Sequence, residues 1–176
     1  MELKDSKTYK NLQVAFSGES EARNKYTYYA SQARKEGYNQ IGEVFEELAL
    51  YEKEHAKIWF KLLHHGIGST AENLKDAING EHYESTVMYP HFAAEAREEN
   101  FEKIAQLFEA VGKIEQEHES RYKNLLKELE SEEFFSKEVE STWICVNCGY
   151  VHFANQALEI CPVCSHPQGY FKLLGR

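Results

Sequence analysis

Residues 41–63, IGEVFEELALYEKEHAKIWFKLL, decide the fold, because they recur at residues 104–126 as IAQLFEAVGKIEQEHESRYKNLL. With an offset of 63, Ile41 falls on Ile104, Phe45 on Phe108, Glu46 on Glu109, Glu52 on Glu115, Glu54 on Glu117 and His55 on His118. In the first copy Ile41, Phe45, Leu48, Glu52, His55, Trp59 and Leu62 step by 4, 3, 4, 3, 4, 3. Ile104, Phe108, Val111, Glu115, His118, Tyr122 and Leu125 step identically. Such spacing draws one stripe down a helix, the stripe that faces a bundle interior. One carboxylate and one imidazole interrupt it at the same depth in each copy.

Outward from these two helices, apolar residues before Ser131 keep helical spacing, with Pro90 the only proline. The spacing predicts a first helix over about Ser6–Glu36, stopped at Gly37, and a second over about Gln40–His65. Ser69 and Glu72 form the Ser-x-x-Glu box that opens a third. Pro90 lies inside that third helix, which predicts a kink near Met88–Tyr89. The fourth runs over about Asn100–Glu130. Helices one and three align at an offset of 62, placing Gly18-Glu19 on Gly80-Glu81 and Ala22 on Glu84. Two duplicated helix pairs joined by a crossover near residues 64–70 make a mainly α protein: a ferritin-like four-helix bundle followed by a small metal-binding domain. The expected domains are residues 1–135 and 136–176.

The seams of helix one (Leu12, Ala15, Glu19, Ala22, Tyr26, Tyr29, Ala33) and helix three (Leu74, Ala77, Glu81, Glu84, Met88) add three carboxylates. Glu19, Glu52, Glu81, Glu84 and Glu115 would thus turn inward with His55 and His118, and no Lys or Arg shares the seams. An unpaired buried ion costs several kcal/mol, and like charges add repulsion. Bound cations remove both penalties. A Glu from each of two helices with Glu-x-x-His from each of the other two is the carboxylate-bridged di-iron or di-manganese pattern. The i, i+3 spacing lets carboxylate and imidazole reach one ion. A Glu-x-x-His match on a solvated face is the bland alternative. Of the eight histidines only His55 and His118 have Glu three residues before them, and both lie on the seam. Tyr26 and Tyr89 fall near the carboxylates, either as hydrogen-bond donors or as packing.

All four cysteines lie in the last fifth of the chain: Cys145 and Cys148, then 12 residues, then Cys161 and Cys164. Two Cys-x-x-Cys knuckles make a tetrahedral four-sulfur site, and iron and structural zinc both suit that spacing. Gly149 permits the positive φ such a knuckle favours. Trp143, Tyr150 and Phe171 are the candidates for a small aromatic core. With fewer than 40 residues this module needs its metal to fold.

A net charge of −9 excludes binding of nucleic acid through phosphate contacts. No run of about 18 apolar residues exists to cross a membrane. The N-terminal stretch shows no secretory h-region, and the thiols are grouped as metal ligands, so cytoplasm is the expected location.

The stretches Gly18-Glu19-Ser20-Glu21-Ala22-Arg23, Glu52-Lys53-Glu54-His55-Ala56, Gly80-Glu81-His82-Tyr83-Glu84, Met88-Tyr89-Pro90, Glu115-Gln116-Glu117-His118 and the cysteine tail together resemble the rubrerythrins over nearly the whole chain. The resemblance implies a di-iron site held in its oxidised state by Glu19, Glu52, Glu81, Glu84, Glu115 and His118. It implies that one iron exchanges Glu84 for His55 on reduction. It also implies a rubredoxin-like tail with iron rather than zinc at Cys145, Cys148, Cys161 and Cys164, and a homodimer. The implied role is terminal reduction of hydrogen peroxide in oxidative-stress defence, with NAD(P)H feeding electrons through a separate reductase or rubredoxin. One departure is Ser165, where rubredoxins commonly place glycine.

Five carboxylates against a diferrous or diferric pair leave about −1 or +1, so neither state is strongly trapped. From His118 to Glu130 the last helix extends about 18 Å. That carries the tail away from its own bundle, and a head-to-tail homodimer would place it beside the partner's site. Two rival readings are a ferroxidase or iron-storage protein, and a non-enzymatic electron carrier.

Overall fold

The computed structural model describes residues 2–175, which form two units, one ending at Ile67 and the other beginning at Gly68. In the first unit, α1 (Lys7–Lys35) is capped by Ser6, whose Oγ accepts from the Tyr9 N–H at 3.1 Å. Gly37 ends it with φ +87°, a conformation costly for any residue with a Cβ. The helix α2 (Asn39–His64) returns along it. Ala30, Ala33, Gly42, Ala49 and Ala56 are buried, small residues that let the helix axes approach closely. Arg34 clamps Glu46 with both terminal nitrogens, the Nη2–Oε2 bond being 2.7 Å. Phe45 packs between Tyr26 and Tyr29, with ring centroids 6.0 and 5.5 Å away.

The second unit opens on the expected capping box, Ser69 and Glu72 exchanging side-chain and backbone bonds at the start of α3 (Thr70–Tyr83). The expected kink is a π-helical turn over Glu84–Met88, closed by the Tyr89 N–H donating to the Glu84 carbonyl, one residue beyond the α pattern. Pro90 then falls in the first turn of α4 (Tyr89–Glu98), where its missing N–H leaves no ladder bond unmade. Asn100, at φ +67°, turns the chain into α5 (Glu102–Glu130).

The π turn is the scar of a one-residue insertion. Before it the two pairs correspond at an offset of 62, as Glu19 and Glu81 do; after it the offset is 63. Ala93 and Ala96 are buried like Ala30 and Ala33. Arg97 donates to Glu109 at 2.7 Å as Arg34 does to Glu46. Phe108 sits 6.1 Å from Tyr89 and 5.6 Å from Phe92, matching the Phe45 cluster. An α-helix absorbs an extra residue at least disruption by widening one turn.

Within the same unit the tail is a three-stranded antiparallel sheet, ordered β2-β1-β3, of β1 (Ser136–Cys145), β2 (Val151–Gln156) and β3 (Phe171–Leu173). Trp143, Cys145, Ala157, Cys161 and Phe171 form its core, with Tyr150 half-buried against it. The Trp143 indole N–H donates to the Ala154 carbonyl at 3.1 Å. Lys137 pairs with Glu128 of α5 at 3.3 Å.

The link from α2 to α3 is the five residues His65–Ser69. Along the seams Ile41, Leu48, Leu62, Ile104 and Leu125 are between 37% and 51% exposed.

Candidate metal centres

The helices turn the seam groups into two small clusters, one in each unit. Glu19 of α1 meets Glu52 and His55 of α2, with one donor atom from each within 4.8 Å of the others. Glu81 of α3 meets Glu115 and His118 of α5 within the same limit. The sets are repeat-equivalent, and so is their geometry. His55 Nδ1 lies 2.8 Å from Glu52 and 3.8 Å from Glu19; His118 Nδ1 lies 2.6 Å from Glu115 and 3.7 Å from Glu81. In each set the same ring nitrogen faces the carboxylates. The imidazoles remain half-exposed, and the carboxylates are partly buried. Glu84, expected beside them, lies outside the converging set, though its charge acts on both Glu81 and Tyr89.

Burial raises the pKa of Glu19 above the usual carboxylate range, and a hydrogen bond and charge repulsion from Glu52 push it the same way; His55 and Trp59 oppose them. Glu81 is raised by burial and by Glu115, against His118. Burial and the neighbouring carboxylate thus both oppose ionisation of Glu19 and Glu81. A metal ion offsets both, and the donors are the hard oxygen and borderline nitrogen groups that suit iron. The indole Nε1–H of Trp59 is buried beside Glu19 and favours its charged form.

Tyr89 is also raised, chiefly by burial and then by Glu84, Glu115 and Glu81. It therefore stays a protonated phenol next to the acidic cluster. Tyr26, its counterpart, packs against Tyr29 and Phe45.

Sequence reasoning missed a neighbouring ion cluster. Glu119, one residue beyond His118, is 7% exposed and accepts from Lys123 Nζ at 2.5 Å and His82 Nδ1 at 3.1 Å on the same oxygen. Lys123 chiefly, with His82, holds the Glu119 carboxyl below the usual range. The corresponding residues of the first pair are Ala56 and Ser20, so the repeat carried no hint of it.

In the tail all four expected cysteines converge. Cys145 and Cys164 sulfurs are 3.7 Å apart and those of Cys148 and Cys161 are 3.6 Å apart. Disulfide sulfurs stand at about 2.05 Å, while a tetrahedron with metal–sulfur bonds of about 2.3 Å has edges of about 3.8 Å. The spacing fits a metal. Two matching knuckles build it: the Gly149 N–H donates to the Cys145 carbonyl at 2.8 Å, and the Ser165 N–H to the Cys161 carbonyl at 2.9 Å. Gly149 has φ +77° and Ser165 φ +58°. The His166 backbone N–H lowers the Cys164 thiol to about 6. The Tyr150 N–H pulls Cys148 the same way, but burial and the other thiols prevail and carry it up to about 12.

The family model for rubrerythrin matches residues 10–126, and the model for the rubrerythrin rubredoxin-like domain matches residues 143–172. The chain belongs to the rubrerythrin family. It is 49% identical over 182 residues to the rubrerythrin of Porphyromonas gingivalis, covering 97% of this chain and 91% of that one. It is 44% identical over 185 residues to the rubrerythrin of Nitratidesulfovibrio vulgaris, covering 98% and 97%. Among solved structures, the fully reduced all-ferrous nigerythrin aligns at 30% identity with a TM-score of 0.37, covering 96% of this chain and 87% of that one. The rubrerythrin family is defined by a di-iron carboxylate site and a rubredoxin-like iron site and consists generally of oxidoreductases. Both residue sets of this chain are consistent with iron. A rubredoxin-like domain points to electron transfer. No helix among the described residues is long and apolar enough to cross a membrane.

Proposed function

We propose that this rubrerythrin reduces hydrogen peroxide to water at a pair of iron ions held by Glu19, Glu52, Glu81, Glu84, Glu115, His118 and, in the reduced state, His55. The observation that carries the reading is the convergence of two repeat-equivalent Glu–Glu–His sets, neither with a lysine or arginine to offset its charge. The iron pair supplies two electrons, which with two protons convert one peroxide into two water molecules. The five carboxylates set the charge of the site, and each imidazole presents Nδ1 to it. Tyr89, kept protonated beside Glu84, can hold a proton within reach of that acidic edge. Cys145, Cys148, Cys161 and Cys164 would hold an iron ion able to supply one-electron transfer, with NAD(P)H and a separate reductase or rubredoxin as the electron source.

The reading includes a division at residues 135/136, a head-to-tail homodimer, a cytoplasmic location and a place in oxidative-stress defence. Anaerobic titration of the fully reduced protein tests the activity. About one peroxide should reoxidise each iron pair, much faster than dissolved oxygen does. Oxidation no faster than by oxygen, or iron accumulating as mineral, would replace this reading with the ferroxidase one.

A further inference from the structure

The Glu119–His82–Lys123 cluster has no counterpart in the first helix pair. Ser20, Ala56 and Phe60 stand at the matching positions, lining a cleft of about 440 Å³. Among the described residues the π turn also occurs once, in the pair that carries the cluster, while α1 is an unbroken α-helix over Lys7–Lys35. The two features adjoin. His82 lies two residues before the turn, and its carbonyl accepts from the Ser85 and Thr86 hydroxyls at 3.2 and 2.6 Å. An extra residue turns the segments on either side of it by about 100° relative to each other, so contacts with α5 must fix the rotation of α3. Cluster and ligands also interleave: Glu81 and His82 are consecutive in α3, and His118 and Glu119 are consecutive in α5. Consecutive residues point to adjacent helix faces at nearly one height. The 3.1 Å bond from His82 to Glu119 is therefore lost if α3 turns or slides beside the ligands, and a nearly buried carboxylate without its cations is heavily penalised. The second ligand set is the more enclosed at every position, its Glu81, Glu115 and His118 side chains being 20%, 14% and 41% exposed against 30%, 19% and 51% for Glu19, Glu52 and His55.

We propose that Glu119 is a positioning residue for the second metal-ligand set. Bonded to His82, it braces α3 against α5 just before the π turn, so that Glu81, Glu115 and His118 stand within reach of one ion before the ion arrives. Lys123, one turn further along α5, offsets the carboxylate's charge. Neither His82 nor Glu119 is a ligand; each acts through the ligand beside it in the chain. A prepared ligand set gives up less freedom on binding, and partners that orient metal ligands are worth about ten- to a hundredfold in affinity. The brace belongs to the second set alone, since Ser20 and Ala56 cannot form it in the first. The proposal rests on the reading of these groups as iron ligands.

Iron binding by the full-length chain tests it. Bundle iron is measured anaerobically at graded ferrous concentrations, the thiolate ion being counted separately from its visible absorbance after oxidation. Glu119→Ala should raise the ferrous concentration that half-fills the bundle by about tenfold or more. His82→Ala, which alters only an exposed side chain, should weaken binding to a similar extent. The double variant should be no worse than Glu119→Ala alone, because the two groups act as one brace. Glu119→Gln keeps an oxygen to which His82 and Lys123 can donate, and should recover most of the affinity. Half-filling unchanged in both alanine variants refutes the brace and leaves the di-iron reading standing. A Glu119→Gln variant as weak as Glu119→Ala also refutes it, since Glu119 would then supply charge rather than position. Should Glu119→Ala fail to fold, weakened binding in His82→Ala with retained binding in Glu119→Gln upholds the proposal, and any other result overturns it. If the unaltered protein takes iron only at the thiolates, the di-iron reading fails, and the brace with it.

Discussion

Deleting Thr86 from the π turn would remove the inserted residue and let α3 run into α4 as one continuous α-helix. Thr86 is exposed and bonds only to its own helix, its Oγ1 donating to the His82 carbonyl at 2.6 Å, so the deletion itself removes little packing. Its effect is rotational: every later residue turns by about 100° relative to α3. Should α3 stay in place, Ala93 takes the position of Phe92, and Arg97 that of Ala96, which is 7% exposed. The Phe92–Phe108 contact at 5.6 Å is lost and a guanidinium is driven against α5. A partly buried Phe→Ala loss and the crowding of a small-residue contact together cost about 3 kcal/mol or more. For a chain of this size that lowers the melting temperature by about 6–12 °C. Should α4 keep its packing instead, α3 must turn, and Glu81 leaves Glu115 and His118. The variant is then stable but loses bundle iron. Thermal unfolding and iron analysis on one sample cover both routes. A deletion variant with unaltered stability and a full iron complement would refute the insertion account.

Ser165→Gly should stabilise the second knuckle by about 0.5–1 kcal/mol, the left-handed strain of a Cβ-bearing residue exceeding the extra freedom glycine has when unfolded; resistance of the thiolate chromophore to denaturant measures it. Cys161→Ser should abolish the tail metal and open the sheet around Trp143, now 1% exposed, shifting its fluorescence to the red in a Trp59→Phe background; an unshifted emission would mean that the sheet folds without metal. Lys123 and His82 hold the folded pKa of Glu119 below its ordinary value of 4.5, so the stability it adds is present above that value and lost as pH falls through the folded one. Glu119→Gln should therefore flatten the acid limb of the stability profile between those two values while leaving the neutral limb of the same shape.

Much of this protein is legible in its sequence because each signal has a local cause. Ser6, Gly37 and the Ser69–Glu72 box set helix ends through single hydrogen bonds or a single dihedral angle. Seam spacing picks out Glu52, His55, Glu115 and His118, because a helix places i and i+3 on one face. The π turn was legible only in part. Pro90 points to an interruption, whereas the insertion shows as a change of offset, with Glu19 and Glu81 related by 62 and Arg34 and Arg97 by 63. The Glu119–His82–Lys123 cluster left no such trace, since an ion pair between different helices needs no fixed sequence spacing. Nor does periodicity specify what covers a seam, because the same stripe suits any matching helical face.

The claim on which the account rests is that the seam carboxylates and imidazoles hold two iron ions together. A Mössbauer spectrum of oxidised protein loaded with isotopically enriched iron addresses it most directly. About two thirds of the iron should appear as a spin-coupled ferric pair in an oxygen and nitrogen environment, and about one third as the isolated tetrahedral thiolate ion. Iron confined to the thiolate component, or a bundle component of single uncoupled ions, would contradict it.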